Sequence, residues 1–289
     1  MPSPDAHLRL RNAIERVETL PAMPVIAQQL LSLALDTDES EAKLVTLIEQ
    51  DPQIMAKLLS LSNSPAMKVT RPVVSVSDAV MILGLTQVKS VSIAIAAMSG
   101  LKNVAPGRYF SPQSIYSHSL AMAIVMVELS AYMPHKIRPS RDKVYLAGLL
   151  HDIGYMAIHF LDRDASERIH HRIVLSPKDP VLLVDLGEIG VTHCDVGAQL
   201  ARQWNLSDEI VSVIARHHDP RVELLTAANC LPTLALLAEK ALADFGLDEN
   251  MSVEILERDW KVLGIDPGRS DEIMGVISEI VAQLAHGAD

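Results

Sequence analysis

Aromatic residues are scarce in this chain of 289 residues, at 3%, although 49% of it is hydrophobic. A core must therefore be filled by Leu, Ile, Val, Ala and Met rather than by rings, which favours helix. Cysteine is nearly absent: Cys194 and Cys230 make neither a disulfide framework nor a Cys-x-x-Cys site, which suits a reducing compartment and gives the cytoplasm as the expected location. Basic residues number 25 against 36 acidic ones, for a net charge of −11. That balance argues against a phosphate backbone as partner, so no nucleic acid is expected. Long apolar runs are lacking as well. Val91 to Met98 and Ala121 to Val127 are too short or too interrupted to span a bilayer, and the start, with Asp5, His7, Arg9, Arg11 and Glu15, has no secretory pattern, so no membrane is expected.

What is present is helical punctuation, on a chain long enough for one large domain or two small ones. Ala6 to Val17 reads as a helix broken by Leu20-Pro-Ala-Met-Pro24, and a second follows through Val25 to Leu33. Ser40 is the expected N-cap of a third, and Asp51-Pro52 reads as N-cap and first position of a fourth, which stops near Asn63 as its C-cap. Arg71 to Ser77 is too short and isolated for a sheet and reads as loop. Ser77-Asp78 starts a helix ended by Gly84, and Thr86 caps the next, through Met98. A long helix is expected from Pro112 to Met133. Another is capped by Ser140 or Asp142 and runs to His151-Asp152, with Gly154 as a place to turn. Further helices are predicted over Ala157–Leu161, Asp164–Val174, Pro180–Leu186, His193–Trp204, Ser207–His217, Leu231–Phe245, Val253–Leu263 and Ser270–Ala285. The expectation is an all-α protein with a helical lobe over 1–105 and a second over 106–289.

The chemistry concentrates at Leu149-Leu150-His151-Asp152-Ile153-Gly154, where an apolar helix ends in an imidazole and a carboxylate. Such groups behind a hydrophobic segment need partners. His118, His193, the pair His217-His218 and Glu239 each lie in or beside a helical stretch, and packed helices can aim them at one interior point. Mixed imidazole and carboxylate donors suit Zn, Mn, Fe or Ni better than Ca, as one or two ions. A bound ion lowers the pKa of a coordinated water, which is phosphohydrolase chemistry with Asp152 at its centre. The basic residues Lys136, Arg138, Arg141 and Lys143 and the run Glu167 to Arg172 either meet an anion or form a solvated face. Trp204 and Trp260 read as core rings.

Taken in order, Leu20-Pro-Ala-Met-Pro24, Ile48-Glu-Gln-Asp51-Pro52, Asn63-Ser64, Ala79 to Leu85 ending in Leu-Gly-Leu, and His151-Asp-Ile-Gly154 resemble the landmarks of the HDOD family. The resemblance implies an all-helical bacterial signalling protein, with an N-terminal lobe for contacts to a signalling protein partner and a C-terminal lobe related to HD-type metal phosphohydrolases. By position, His118 resembles the first histidine of that superfamily and His151-Asp152 its signature pair. His193, in the His-x-x-x-Gly pattern ending at Gly197, and His217-His218 resemble extra ligands of the cyclic-dinucleotide phosphodiesterases. Glu239, in Leu237-Ala238-Glu239, stands where an aspartate is usual. Tyr155 replaces the lysine of those phosphodiesterases and no Gly-Tyr-Pro follows Pro220, so cyclic-dinucleotide hydrolysis is not expected. Two readings remain: a regulatory scaffold that keeps a metal pocket, and a metal-dependent phosphohydrolase of a nucleotide or phosphoester.

Overall fold

Prolines and short oxygen-bearing side chains do cut the chain into helices, and the cuts are specific. The computed structural model describes residues 20–35, 37, 39–63, 69, 71–101, 106–219, 226, 229–243 and 254–286. The helix expected over Ala6 to Val17, and the ends at Phe245 and Val253, lie outside them. Helix α1 (Val25–Ser32) follows Pro24, α2 spans Ser40–Glu49 and α3 spans Pro52–Ser62. Asp51 caps α3 as expected, its Oδ1 accepting from Gln53 N at 2.9 Å and Ile54 N at 3.2 Å. Asn63 is its C-cap and does more than cap. Its amide donates to Leu59 O (2.9 Å) and Val73 O (2.7 Å), and its Oδ1 accepts from Val73 N (2.8 Å), so it clamps the extended 71–75 segment to the helix.

Three caps differ from expectation. Ser40 is the first residue of α2, and its hydroxyl donates to Ala34 O at 3.0 Å, closing the preceding turn instead. Helix α4 (Val76–Leu83) starts earlier because Ser75, not Ser77, takes the cap, accepting from Asp78 N at 3.0 Å. Helix α5 (Leu85–Gly100) starts on Gly84, whose φ of +87° turns the chain so sharply that no Thr86 cap is needed. Helix α5 is apolar on nearly all sides and is buried accordingly: Val88, Val91, Ala94, Ile95, Ala97 and Met98 are all enclosed. It packs on α1, α3 and α4 and also on the later helix α7 (Arg141–Leu150), so one apolar core runs through the described residues.

The long helix α6 (Pro112–Ala131) begins on a Ser111 cap with proline at its first position, and Ala121 to Val127 lies inside it. By length and composition Pro112–Ala131 and Arg141–Leu161 are each long and apolar enough to cross a membrane, but 61% and 83% of an 18-residue apolar window in each are buried in the fold. They serve here as core helices. Helix α8 (Ile153–Leu161) begins four residues before the expected Ala157, because the chain resumes helix directly after Asp152. Helices α9 (Arg163–Leu175), α10 (Val181–Ile189), α11 (His193–Gln203), α12 (Asp208–Arg216) and α13 (Leu231–Ala243) follow, then the short α14 (Glu257–Val262) and α15 (Ser270–His286). Trp204 and Trp260 are buried as expected. Trp204 Nε1 donates to Pro21 O at 2.9 Å, so the Leu-Pro-Ala-Met-Pro segment is tied to the end of α11.

Candidate metal centre

Gly154 does not make a turn; it lies in α8, where a Cβ would overlap the His193 carbonyl oxygen and crowd Gly197 N at 3.0 Å. Gly148 likewise lets α7 reach the backbone of α6 at Ala123. These approaches bring α6, α7, α8 and α11 close enough for short side chains to meet.

His118 from α6, His151 and Asp152 from the α7–α8 junction and Glu239 from α13 converge. His118 Nε2 lies 3.2 Å from His151 Nε2 and 3.2 Å from Glu239 Oε1. His151 Nε2 lies 3.1 Å from Asp152 Oδ2 and 3.0 Å from Glu239 Oε1. His151 Nδ1 donates to Gly148 O at 2.8 Å, which leaves its Nε2 with a free lone pair. His151, Asp152 and Glu239 are fully buried, and the His118 side chain keeps 11% of its exposure.

The other oxygen of Asp152 faces a second group. Its Oδ1 is 3.2 Å from His217 Nε2 and 3.6 Å from His193 Nε2, and these two nitrogens are 3.3 Å apart. His193 and Cys194 open α11; His217 and His218 leave the end of α12. Adjacent helical positions diverge by about 100°, yet His217 and His218 converge because the helix stops at Arg216. Asp185 anchors His193 twice, accepting from Nδ1 at 2.6 Å and from its backbone N–H at 2.9 Å, and Tyr155 stacks on its ring at 4.1 Å. His217 Nδ1 points to the carbonyls of Ile214 (3.1 Å) and Val213 (3.2 Å), so its Nε2 too faces inward as an acceptor.

Burial opposes charge on these groups, and their mutual contacts override it. Burial works against protonated His151, but Asp152 and Glu239 raise its pKa well above the ordinary value; His118 rises for the same reason, chiefly through Glu239. Burial would raise the carboxyl of Asp152, but His151 and His217 hold it well below the usual range, and His118 and His151 do the same for Glu239. Despite burial, Cys194 and Asp185 raise His193 well above the ordinary value, and Cys194 raises His217 to about 9. Burial would raise the Cys194 thiol, yet His193 and His217 bring it down to about 6. Burial and the neighbouring His217 and His193 push His218 well below its ordinary value.

These residues fit a divalent ion. Neither Asp152 oxygen, nor Glu239 Oε2, receives a hydrogen bond among the described residues. Around a four-coordinate ion with bonds of about 2.0–2.3 Å, neighbouring donors lie about 3.3–3.8 Å apart, close to the spacings here. Nitrogen lone pairs facing each other at 3.2 Å and 3.3 Å repel unless a cation or a proton stands between them.

All seven residues picked from the sequence, His118, His151, Asp152, His193, His217, His218 and Glu239, thus lie in these two groups. Two were missed. Cys194 was passed over for want of a cysteine partner, although it adjoins a candidate histidine. Asp185 had a signal: a carboxylate in the apolar Val181-Leu-Leu-Val-Asp-Leu stretch of α10 needs a buried partner. The basic residues Lys136, Arg138, Arg141 and Lys143 are structural in part, and the last two lie within α7. Arg138 donates to the carbonyls of Ala131 and Met133 at the end of α6, and Lys143 pairs with Glu209 at 2.6 Å. Nor is the 167–172 run simply a solvated face: Glu167 accepts from the backbone N–H groups of Arg108, Tyr109 and Phe110, and His170 packs on Phe110 and Tyr155.

The family model for the HDOD domain matches residues 20–220. Among solved structures, an HDOD domain protein of unknown function from Geobacter sulfurreducens is 24% identical, with a TM-score of 0.75 over 99% of this chain and 98% of that one. A candidate signal transduction protein from Marinobacter aquaeolei is 23% identical, with a TM-score of 0.76 over 99% of this chain and 66% of that one. A candidate phosphohydrolase from Shewanella amazonensis is 21% identical, with a TM-score of 0.70 over 94% and 97% of the two chains. At such identities the likeness is one of fold. Ribonuclease Y of Thermotoga petrophila is 24% identical over 155 residues, 52% of this chain and 24% of that protein. The chain spans only 24% to 39% of the length of the first curated relatives it matches.

Proposed function

The chain belongs to the HDOD family, and from that premise we propose that it is a bacterial regulatory protein that acts through a signalling protein partner and holds a divalent transition metal in its C-terminal lobe. The lobes are residues 1–105, for contacts, and 106–289, built around His118, His151, Asp152, His193, His217, His218 and Glu239. The observation that carries the metal is Asp152, fully buried, with both oxygens turned to imidazole nitrogens and neither hydrogen-bonded among the described residues. Candidate ions are Fe, Mn, Ni or Zn, one or two per chain. Cys194 and Cys230, which form no disulfide, suit the reducing cytoplasm.

A regulatory role is favoured over turnover by the cations nearby. Lys240, beside Glu239, is committed to Asp259 at 2.8 Å, Arg216, beside His217, faces Asp219 at 3.6 Å, and Tyr155 is a ring wall against His193. Both cations next in sequence to candidate ligands are thus paired with carboxylates of their own.

A second reading, hydrolysis of a nucleotide or other phosphoester, is favoured by the position of Asp152 between two donor groups. When bound, an ion there would supply a hydroxide nucleophile near neutral pH. Asp152 would be among the residues that hold it, and Gly148 O and Asp185 would keep His151 and His193 oriented. The nuclease name of a relative fits a phosphodiester, whereas the net charge of −11 speaks against RNA as substrate.

Elemental analysis of the purified chain, with a phosphodiesterase assay and a pull-down, separates the two. Metal without hydrolysis, together with a retained partner, supports the scaffold. Hydrolysis lost in Asp152→Ala supports the enzyme. A chain that holds no transition metal under any loading condition overturns the metal centre and the enzyme, and leaves the scaffold only if a partner is retained.

A further inference from the structure

The two donor groups that share Asp152 are chemically unlike. His118, His151 and Glu239 offer nitrogen and oxygen only, whereas the group at the start of α11 includes a thiol. Cys194 Sγ lies 3.4 Å from His193 Nε2 and 4.0 Å from His217 Nε2, and is buried. The same nitrogens face Asp152 Oδ1, a fully buried oxygen that accepts no hydrogen bond among the described residues. Sulfur and two imidazole nitrogens therefore lie within reach of one point, Asp152 Oδ1 lies against those nitrogens, and the ring of His218 is 4.2 Å from that of His217.

We propose that Cys194 is a thiolate ligand and that the two halves select unlike ions: zinc at His193, Cys194, His217 and Asp152, and manganese or ferrous iron at His118, His151, Asp152 and Glu239. The inference rests on the metal centre proposed above and adds which ion each half takes. Thiolate and imidazole favour zinc, while a set with two carboxylates accepts harder ions. A buried group that offers sulfur beside imidazole nitrogens is suited to zinc in a way that the all-nitrogen-and-oxygen half is not. Binding releases the thiol proton to solvent and transfers no electron. The competing account is a thiol that only donates its hydrogen to His193, and the two differ in a spectrum.

The full chain, stripped with chelator and reloaded with Co(II), should show a thiolate-to-cobalt charge-transfer band in the near ultraviolet. The band should persist in Cys230→Ser, because Cys230 lies elsewhere, donating to Ile137 O at 3.2 Å, and should vanish in Cys194→Ser. Reloaded from a mixture of zinc and manganese, the wild type should hold both. Cys194→Ser should lose about one equivalent of zinc and keep its manganese. If Cys194→Ser does not fold, the wild-type band and its survival in Cys230→Ser decide alone. Cobalt bound without the band overturns the thiolate role and leaves the metal centre standing. Two equivalents of one ion from the mixture overturn the selectivity. Binding of no metal at all overturns both this inference and the centre beneath it.

Discussion

In the N-terminal helices, several polar side chains that leave solvent end on the backbone. Asn63 clamps Val73, Ser62 Oγ donates to Leu58 O at 2.7 Å, and Lys89 Nζ reaches Leu33 O at 2.6 Å. In the C-terminal helices, the backbone and Asp185 take only the outer nitrogens of His151, His193 and His217, and the inner atoms face one another. Helices and caps of the same kind thus build both regions. A backbone bond finishes a structure, whereas converging lone pairs on fully buried groups leave it incomplete until a cation or protons arrive.

The change that should break this contrast most severely is Asp152→Ala. Metal retention should fall to background, and the metal-free protein should lose about 3–5 kcal/mol, since the imidazoles lose their shared counter-charge. Elemental analysis and urea unfolding check this, and wild-type metal content in the variant would end the two-group description.

The pH dependence should have opposite signs with and without metal. In the metal-free protein, His151, His193 and His217 are raised. Their contribution is complete below the unfolded histidine value of about 6.5 and is lost as pH rises through the folded values, about 9 for His217. Asp152 and Glu239 are depressed, so their contribution is present above about 4 and is lost as pH falls through their folded values. The contribution of these five groups should therefore be complete between about 4 and 6.5 and decline toward alkaline pH, opposed by the depressed His218 and Cys194, whose contributions grow as pH rises. Metal affinity should instead rise with pH, because the ion displaces those protons. Parallel melts across pH, with chelator and with metal, measure both.

Gly154→Ala should cost about 1–3 kcal/mol, because the added methyl meets the rigid His193 carbonyl rather than a movable side chain; urea unfolding reads it. Asp185→Asn should weaken metal binding about 10- to 100-fold while the fold survives, by freeing the His193 ring; competition with a chromophoric chelator reads it. The smallest effect should be Asn63→Ala, at about 1–2 kcal/mol, with metal binding unchanged. A loss of metal in that variant would show that the two regions are not separable.

Much of the fold was legible because helix ends are local. Asp51-Pro52, Asn63, Gly84 and Ser111-Pro112 act within a few residues; the structure moved caps, such as Ser77 to Ser75 where a neighbouring oxygen competed, and the start of α8, from Ala157 to Ile153. The donors were legible as residue types in an ordered pattern. Their meeting was not, since His118 and Glu239 lie 121 residues apart. Cys194 was invisible as a donor because a lone thiol has no spacing signal, and Gly154 was misread because a tight crossing and a turn both call for glycine.

The sequence by itself determined that the chain would be helical, where most helices begin and end, and which imidazoles and carboxylates were available inside it, since propensity, caps and hydrophobic spacing act over short stretches. Tertiary structure alone decided that Asp152 turns one oxygen to each of two donor groups and that one of them includes sulfur. Those relations depend on how closely α8 crosses α11 at Gly154, a separation of backbones that residue spacing along the chain does not encode.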